Sequence, residues 1–168
     1  FGFGFTMLRL VHYVIERQRD ALRDHSAFDV VHYLLFFPTI IIGPIHRMDR
    51  FLADLGRRRW DTGRFTEGLR RVLYGYGKVV VLANWLVFNR NLFVPRGVLP
   101  EWGELLFEPL QYGLYLYLSF AGYSDIAIGL ARMLGHRVME NFRAPFLQRN
   151  IGDFWQAWHL SLSDWCRR

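Results

Sequence analysis

Long apolar runs set between arginine-rich stretches constrain this chain more than any other feature. Val72–Val94 and Leu105–Leu134 are each long enough to cross a bilayer, for which ~20 predominantly apolar residues suffice. The charge around them is clustered. Arg47, Arg50, Arg57, Arg58, Arg59, Arg64, Arg70 and Arg71 outnumber Asp49, Asp54, Asp61 and Glu67 ahead of the first run. Arg132, Arg137, Arg143 and Arg149 gather at and after the end of the second. The turn between the runs, Pro95–Glu104, holds one Arg and two Glu. Arginine concentrates in cytoplasmic flanks, so the two runs cross in opposite directions with the turn outside. Lys78, about one turn inside the first run, has room to snorkel to the cytoplasmic face, and Arg90 lies near the other end. A small soluble domain has no reason to carry two such runs.

The N-terminal part follows the same logic. Phe1–Ile15 is apolar apart from Arg9 but too short to span alone, so it reads as the tail of a helix. Glu16–Asp24 is charged, with Arg17, Arg19 and Arg23. Phe28–Ile45 is apolar again, but Pro38 and the pair Gly43-Pro44 interrupt it. Proline inside a helix removes a hydrogen bond and clashes with the preceding turn, costing about 3 kcal/mol. Both flanks are basic and so lie on one side. The expectation is a re-entrant segment around Pro38–Pro44 that dips in and returns, held inside protein or beside a wet cavity.

The totals then exclude function classes. The 168 residues suit one domain, and the chain opens on Phe1 and stops beside an aromatic cluster, so 1–168 reads as an internal fragment of a single membrane domain. A net charge of +6 fits either a nucleic-acid binder or basic cytoplasmic loops. Arg57–Arg59 has only Trp60 beside it as a stacking platform, so no nucleic-acid partner is expected. One cysteine, Cys166, excludes an internal disulfide framework and a cysteine-rich metal site. His12, His25, His32, His46 and His136 form no H-x-x-x-H pair, and no metal is expected. Gly2-x-Gly4 and Gly75-x-Gly77 lack the third glycine of a dinucleotide loop.

Two places carry candidate chemistry. Asp125 lies within the second long run, where an ionisable group is costly and marks a functional site by default. Its small neighbours Ala121, Gly122, Ser124 and Gly129 equally suit a helix–helix hydrogen bond, and the residues leave both readings open. The second place is Asn141–Trp165, where Trp155, Trp158 and Trp165 surround a lone His159. A helix running on from Asp153 would put Phe154, Trp158, Leu162 and Trp165 on one stripe, with Trp155 and Ser163 one turn either side of His159. A neutral histidine there suits a general base. Without family context, a hydrogen-bonded histidine in a buried interface fits better. Ser161 and Ser163 lack a nucleophile elbow and read as helix-face hydroxyls.

Four ordered stretches carry a resemblance: FFPTIIIGPIHR (Phe36–Arg47), FAGYSDIAIGLARMLG (Phe120–Gly135), ENFRAPFLQRNIGDFW (Glu140–Trp155) and WHLSLSDWCR (Trp158–Arg167). Together the chain resembles the bacterial branch of the membrane-bound O-acyltransferase (MBOAT) family, alginate O-acetyltransferase subunits most closely and teichoic acid D-alanyl transferases next. The resemblance implies an all-α polytopic membrane protein of the inner membrane, with helices around a funnel. It implies transfer of an acyl group from a thioester, acetyl-CoA as donor substrate with no bound cofactor, to an exported polysaccharide. An extracytoplasmic partner acetyltransferase completes the transfer. His159 matches the first of two family histidines and takes a catalytic role. Trp155, Trp158, Asp125, Asn141, Ser161 and Ser163 support the substrate tunnel. The second histidine, usually assigned as the base, is expected beyond residue 168, so this fragment would be inactive alone. Arg168 stands where the family commonly has an acidic residue.

Overall fold

The computed structural model describes residues 2–19, 22–40, 43–56, 60–89 and 97–167. Among them the chain is helical and holds no strand. In order come α1 (Gly2–Gln18), α2 (Ala27–Leu34), α3 (Phe37–Ile40), α4 (Met48–Leu55) and α5 (Thr62–Gly77). The helix then widens into a π-helical stretch, Lys78–Phe88, before α6 (Glu101–Met133). A 3₁₀ turn (Pro145–Leu147) and two short helices follow, α7 (Ile151–Ala157) and α8 (Leu160–Cys166).

Local chemistry accounts for three of the starts. Ser26 caps α2 reciprocally: its hydroxyl accepts the Asp29 N–H while the Asp29 carboxylate accepts the Ser26 N–H. Asp61 and Asn150 cap α5 and α7 by accepting the N–H three residues on. α6 runs 33 residues, about 50 Å at 1.5 Å per residue, with Pro109 inside it. It is the one helix among the described residues long and apolar enough to cross a membrane.

The other expected span is not a plain α-helix. From Val72 it is α-helical only to Gly77, then π-helical to Phe88, and Arg90–Val94 lie outside the described residues. The Arg57–Arg59 run and Arg168 also lie outside them. Phe28–Ile45 is broken as its prolines require. α2 ends at Leu34, and Pro38 sits in the first turn of α3, where a missing N–H costs nothing. Ile41 and Ile42 lie outside the described residues, and Gly43–Arg47 are not helical.

α5 and α6 pack through two glycine pairs. A Cβ on Gly75 would fall 2.6 Å from the Gly122 carbonyl oxygen, and one on Gly129 would fall 2.6 Å from that of Gly68. The two backbones therefore touch directly, the close approach that small residues allow. At one end of α6 a small core gathers Tyr33, Phe36, Met48, Phe51 and Ala131. α1 joins it through Arg9, which is 1% exposed. One Arg9 Nη donates to Tyr33 O, and the other to Thr39 O and, at 2.6 Å, to Thr39 Oγ1. Buried cations need such acceptors, and the broken α2–α3 junction supplies carbonyls that a continuous helix would have used.

Candidate functional site

The expected single helix from Asp153 does not form. α7 stops at Ala157, Trp158 is extended at φ −99°, and His159 takes the left-handed conformation at φ 46°, ψ 55°. The one-stripe placement of Phe154, Trp158, Leu162 and Trp165 is thereby corrected. The left-handed region costs a residue with a Cβ about 1–2 kcal/mol, so something outside the segment holds the break. That something is the strand-like segment at Phe142. Arg143 N–H donates to Ala157 O at 3.0 Å and Leu160 N–H to Asn141 O at 2.9 Å, pairing Phe142 with Trp158 antiparallel. Ala144, two residues on, is the other non-glycine residue at positive φ among the described residues.

The turn aims the imidazole inward. His159 meets Phe120 of α6 edge-on at 4.9 Å, and its Nε2 is buried with no hydrogen-bond partner among the described residues. Burial pushes the His159 pKa down, so the ring is neutral at physiological pH. A buried nitrogen left open is costly, and in a native fold it asks for an explanation, a catalytic role among them. The His159 carbonyl, in turn, accepts the N–H groups of Leu162 and Ser163 and starts α8.

Beside the ring runs a buried chain of hydrogen bonds. Ser161 Oγ donates to Asn141 Oδ1 at 2.5 Å, and Asn141 Nδ2 donates to Ser124 Oγ at 2.9 Å. All three residues are buried, so Asn141 joins α8 to α6 and fixes the residue two positions from His159. Ser161 is therefore a buried structural hydroxyl. Ser163 accepts from Arg167 Nη2 at 3.0 Å. Trp158 is packed among Phe142, Phe146, Tyr117 and Phe154, stacking on the last at 5.5 Å. Trp155 is 60% exposed and touches Phe154.

Asp125 belongs to a second network, back to back with the first. Arg71 Nε and Nη2 both donate to Asp125 Oδ1, at 3.0 and 2.8 Å, and Lys78 Nζ donates to Oδ2 at 2.5 Å. Arg71 also pairs with Glu140. So Ser124-Asp125 and Glu140-Asn141 are two adjacent dipeptides, one residue of each in either network. Lys78, the residue expected to snorkel, makes an ion pair with Asp125 at the start of the π-helical stretch. Arg71, Lys78 and Asp125 line an open cleft of about 550 Å³ together with Leu73, Tyr74 and Leu82.

The sequence reading gave Arg71, Lys78, Glu140, Phe120 and Phe142 no place in a site. One signal pointed to two of them: a carboxylate in an apolar run needs cations, and Arg71 and Lys78 flank the start of the neighbouring run. Three residues without metal-ligand spacing in the sequence nonetheless meet in space. His46, Asp54 and His136 come together with one ligand atom each, all within 4.8 Å of one another. Separations of 8 and 82 residues leave no local spacing to read.

The sequence has relatives among known proteins. A sequence model of the MBOAT, membrane-bound O-acyltransferase family matches residues 4–168. The probable alginate O-acetylase AlgI of Pseudomonas aeruginosa is 34% identical over 168 residues, covering 99% of this chain and 32% of that protein. The teichoic acid D-alanyltransferase of Bacillus subtilis is 30% identical over 175 residues, covering 99% of this chain and 43% of that protein. The peptidoglycan O-acetyltransferase of Helicobacter pylori is 29% identical over 147 residues, covering 82% and 28%. The chain spans about a third of the length of the first of these relatives. With its match running from residue 4 to residue 168, the chain belongs to the membrane-bound O-acyltransferase family.

Proposed function

We propose that this chain supplies the first-histidine half of a membrane O-acyltransferase. The whole protein moves an acetyl group from a cytoplasmic thioester, acetyl-CoA, to hydroxyls of an exported polysaccharide such as alginate. The observation that carries the reading is the half-buried, neutral His159 ring with its buried Nε2 open, held at a strained turn between α7 and α8. That combination is costly for the fold alone, and a substrate partner for the nitrogen would offset it.

In the reaction, the acceptor hydroxyl gives its proton to a histidine and its oxygen attacks the thioester carbonyl. The C–S bond breaks, and the thiolate of CoA takes up a proton as it leaves. His159 polarises or positions the reacting groups, and the second histidine, beyond residue 168, is the base. Trp155 and Trp158 wall the path and exclude water that would hydrolyse the thioester. Arginine-rich cytoplasmic loops attract the anionic CoA. The protein works as a multi-pass component of the bacterial inner membrane, its helices forming a funnel, with an extracytoplasmic acetyltransferase as partner.

The test is His159→Ala in the full-length protein. Polymer acetylation is expected to vanish while expression and detergent-extracted yield stay at the wild-type level. Wild-type acetylation in that variant would remove His159 from the mechanism. Identity to a teichoic acid D-alanyltransferase favours a second reading, D-alanyl transfer. Labelled acetyl-CoA and a labelled D-alanyl thioester, offered in parallel, separate the two by which label reaches the acceptor.

A further inference from the structure

We propose that His46, Asp54 and His136 form a binding site for one divalent transition-metal ion, zinc by its donor set, that ties the α4 corner to the end of α6. The three residues come from three places: the non-helical segment before α4, the last turn of α4, and the residues just after α6. Their ligand atoms lie within 4.8 Å of one another. The edge of a tetrahedron around zinc is about 3.4 Å for bonds near 2.1 Å, a gap that small side-chain rotations close. Two imidazoles and a carboxylate are a common zinc donor set, with a fourth position left for water or a further ligand.

The surroundings are those of a built site. His46 is 2% exposed and its Nε2 has no hydrogen-bond partner among the described residues. Its backbone is anchored, since Tyr33 Oη donates to His46 O at 2.6 Å. Phe51 stacks on the His136 ring at 4.7 Å and 12°, and Phe36 meets it edge-on at 4.7 Å. Both imidazoles are thus oriented before any ion arrives. Asp54 is oriented too: the Arg137 N–H donates to its Oδ2 at 2.7 Å, the outer-shell bond that ligating carboxylates receive.

The site lies apart from His159. It belongs to the Tyr33–Phe36–Met48–Phe51 core, and an ion there would clamp the arginine-rich α4 region onto α6. Its role is to hold those elements together, so the experiment reads metal and stability rather than activity. The full-length protein is purified in detergent without added metal, and its zinc is measured by elemental analysis. About one zinc per chain is expected. Chelation should lower Tm by several degrees and added Zn²⁺ restore it, because binding only the folded state stabilises by mass action. His46→Gln and Asp54→Asn should each cut the zinc content at least tenfold. Asp54→Asn keeps an oxygen for the Arg137 N–H, so it serves if His46→Gln fails to fold. Protein free of transition metal whose Tm ignores added Zn²⁺ would overturn the proposal, as would zinc content unchanged in Asp54→Asn.

Discussion

The α5–α6 pair and the segment from Asn141 to Cys166 bury their polar groups by opposite means. In the first, backbone touches backbone at Gly68–Gly129 and Gly75–Gly122, and the one internal carboxylate is answered by Arg71 and Lys78 from the facing helix. In the second, helices of seven residues are too short to persist alone. They hold their places through Asn141, the Phe142–Trp158 pairing and a cluster of aromatic rings. The long pair is thus set by its own periodicity and its glycines. The short pair is set from outside, and that lets it keep a histidine in a conformation its own sequence disfavours. A site that must hold an unpaired nitrogen is better built on the second plan, because the strain is borne by contacts elsewhere.

The comparison can be broken at its strongest point first. Gly75→Val places a Cβ against a backbone oxygen that cannot move without shifting α6. It should cost on the order of 3 kcal/mol, read as lost thermal stability in detergent. Gly113→Ala meets nothing within 4 Å and should instead be neutral or slightly stabilising. Equal effects of the two would show that the glycine pairs are incidental.

Asn141→Ala comes next, at about 2 kcal/mol, because it strips partners from the buried hydroxyls of Ser124 and Ser161. Its damage should be local. Amide exchange in α8 should accelerate while the centre of α6 stays protected, and uniform acceleration would mean that the two regions are not separable as described.

The smallest effect is the most diagnostic. His159→Gly and His159→Ala both remove the ring, but only Ala keeps a Cβ at φ 46°. The glycine variant should be the more stable by roughly 1 kcal/mol in thermal unfolding, with the two equally inactive. An alanine variant as stable as the glycine one would mean that the turn relaxes once the imidazole is gone, and that the strain belongs to the ring.

Much of the architecture was legible in the residues. Helicity, the proline break near Pro38, and the singular character of Asp125 and His159 all follow from local chemistry. Family membership was legible too, from four motifs in order. The helix break at Trp158–His159 was not. Residues 153–165 have a helical period, and the contacts that overrule it lie at Phe142, more than a dozen residues upstream. The Asp125 network was partly legible, since its cations Arg71 and Lys78 are near in pattern, but Glu140, which shares Arg71, is not.

The sequence by itself determined where the chain is apolar, where it is basic, where it breaks and which two ionisable groups are out of place. Those are properties of single residues and of short-range period. Only the tertiary structure decided that His159 faces inward with an open nitrogen, that Asn141 joins α8 to α6, and that His46 and Asp54 meet His136. Each depends on groups far apart in the chain, and hydrophobic burial and hydrogen bonding act on proximity in space, which no local pattern encodes.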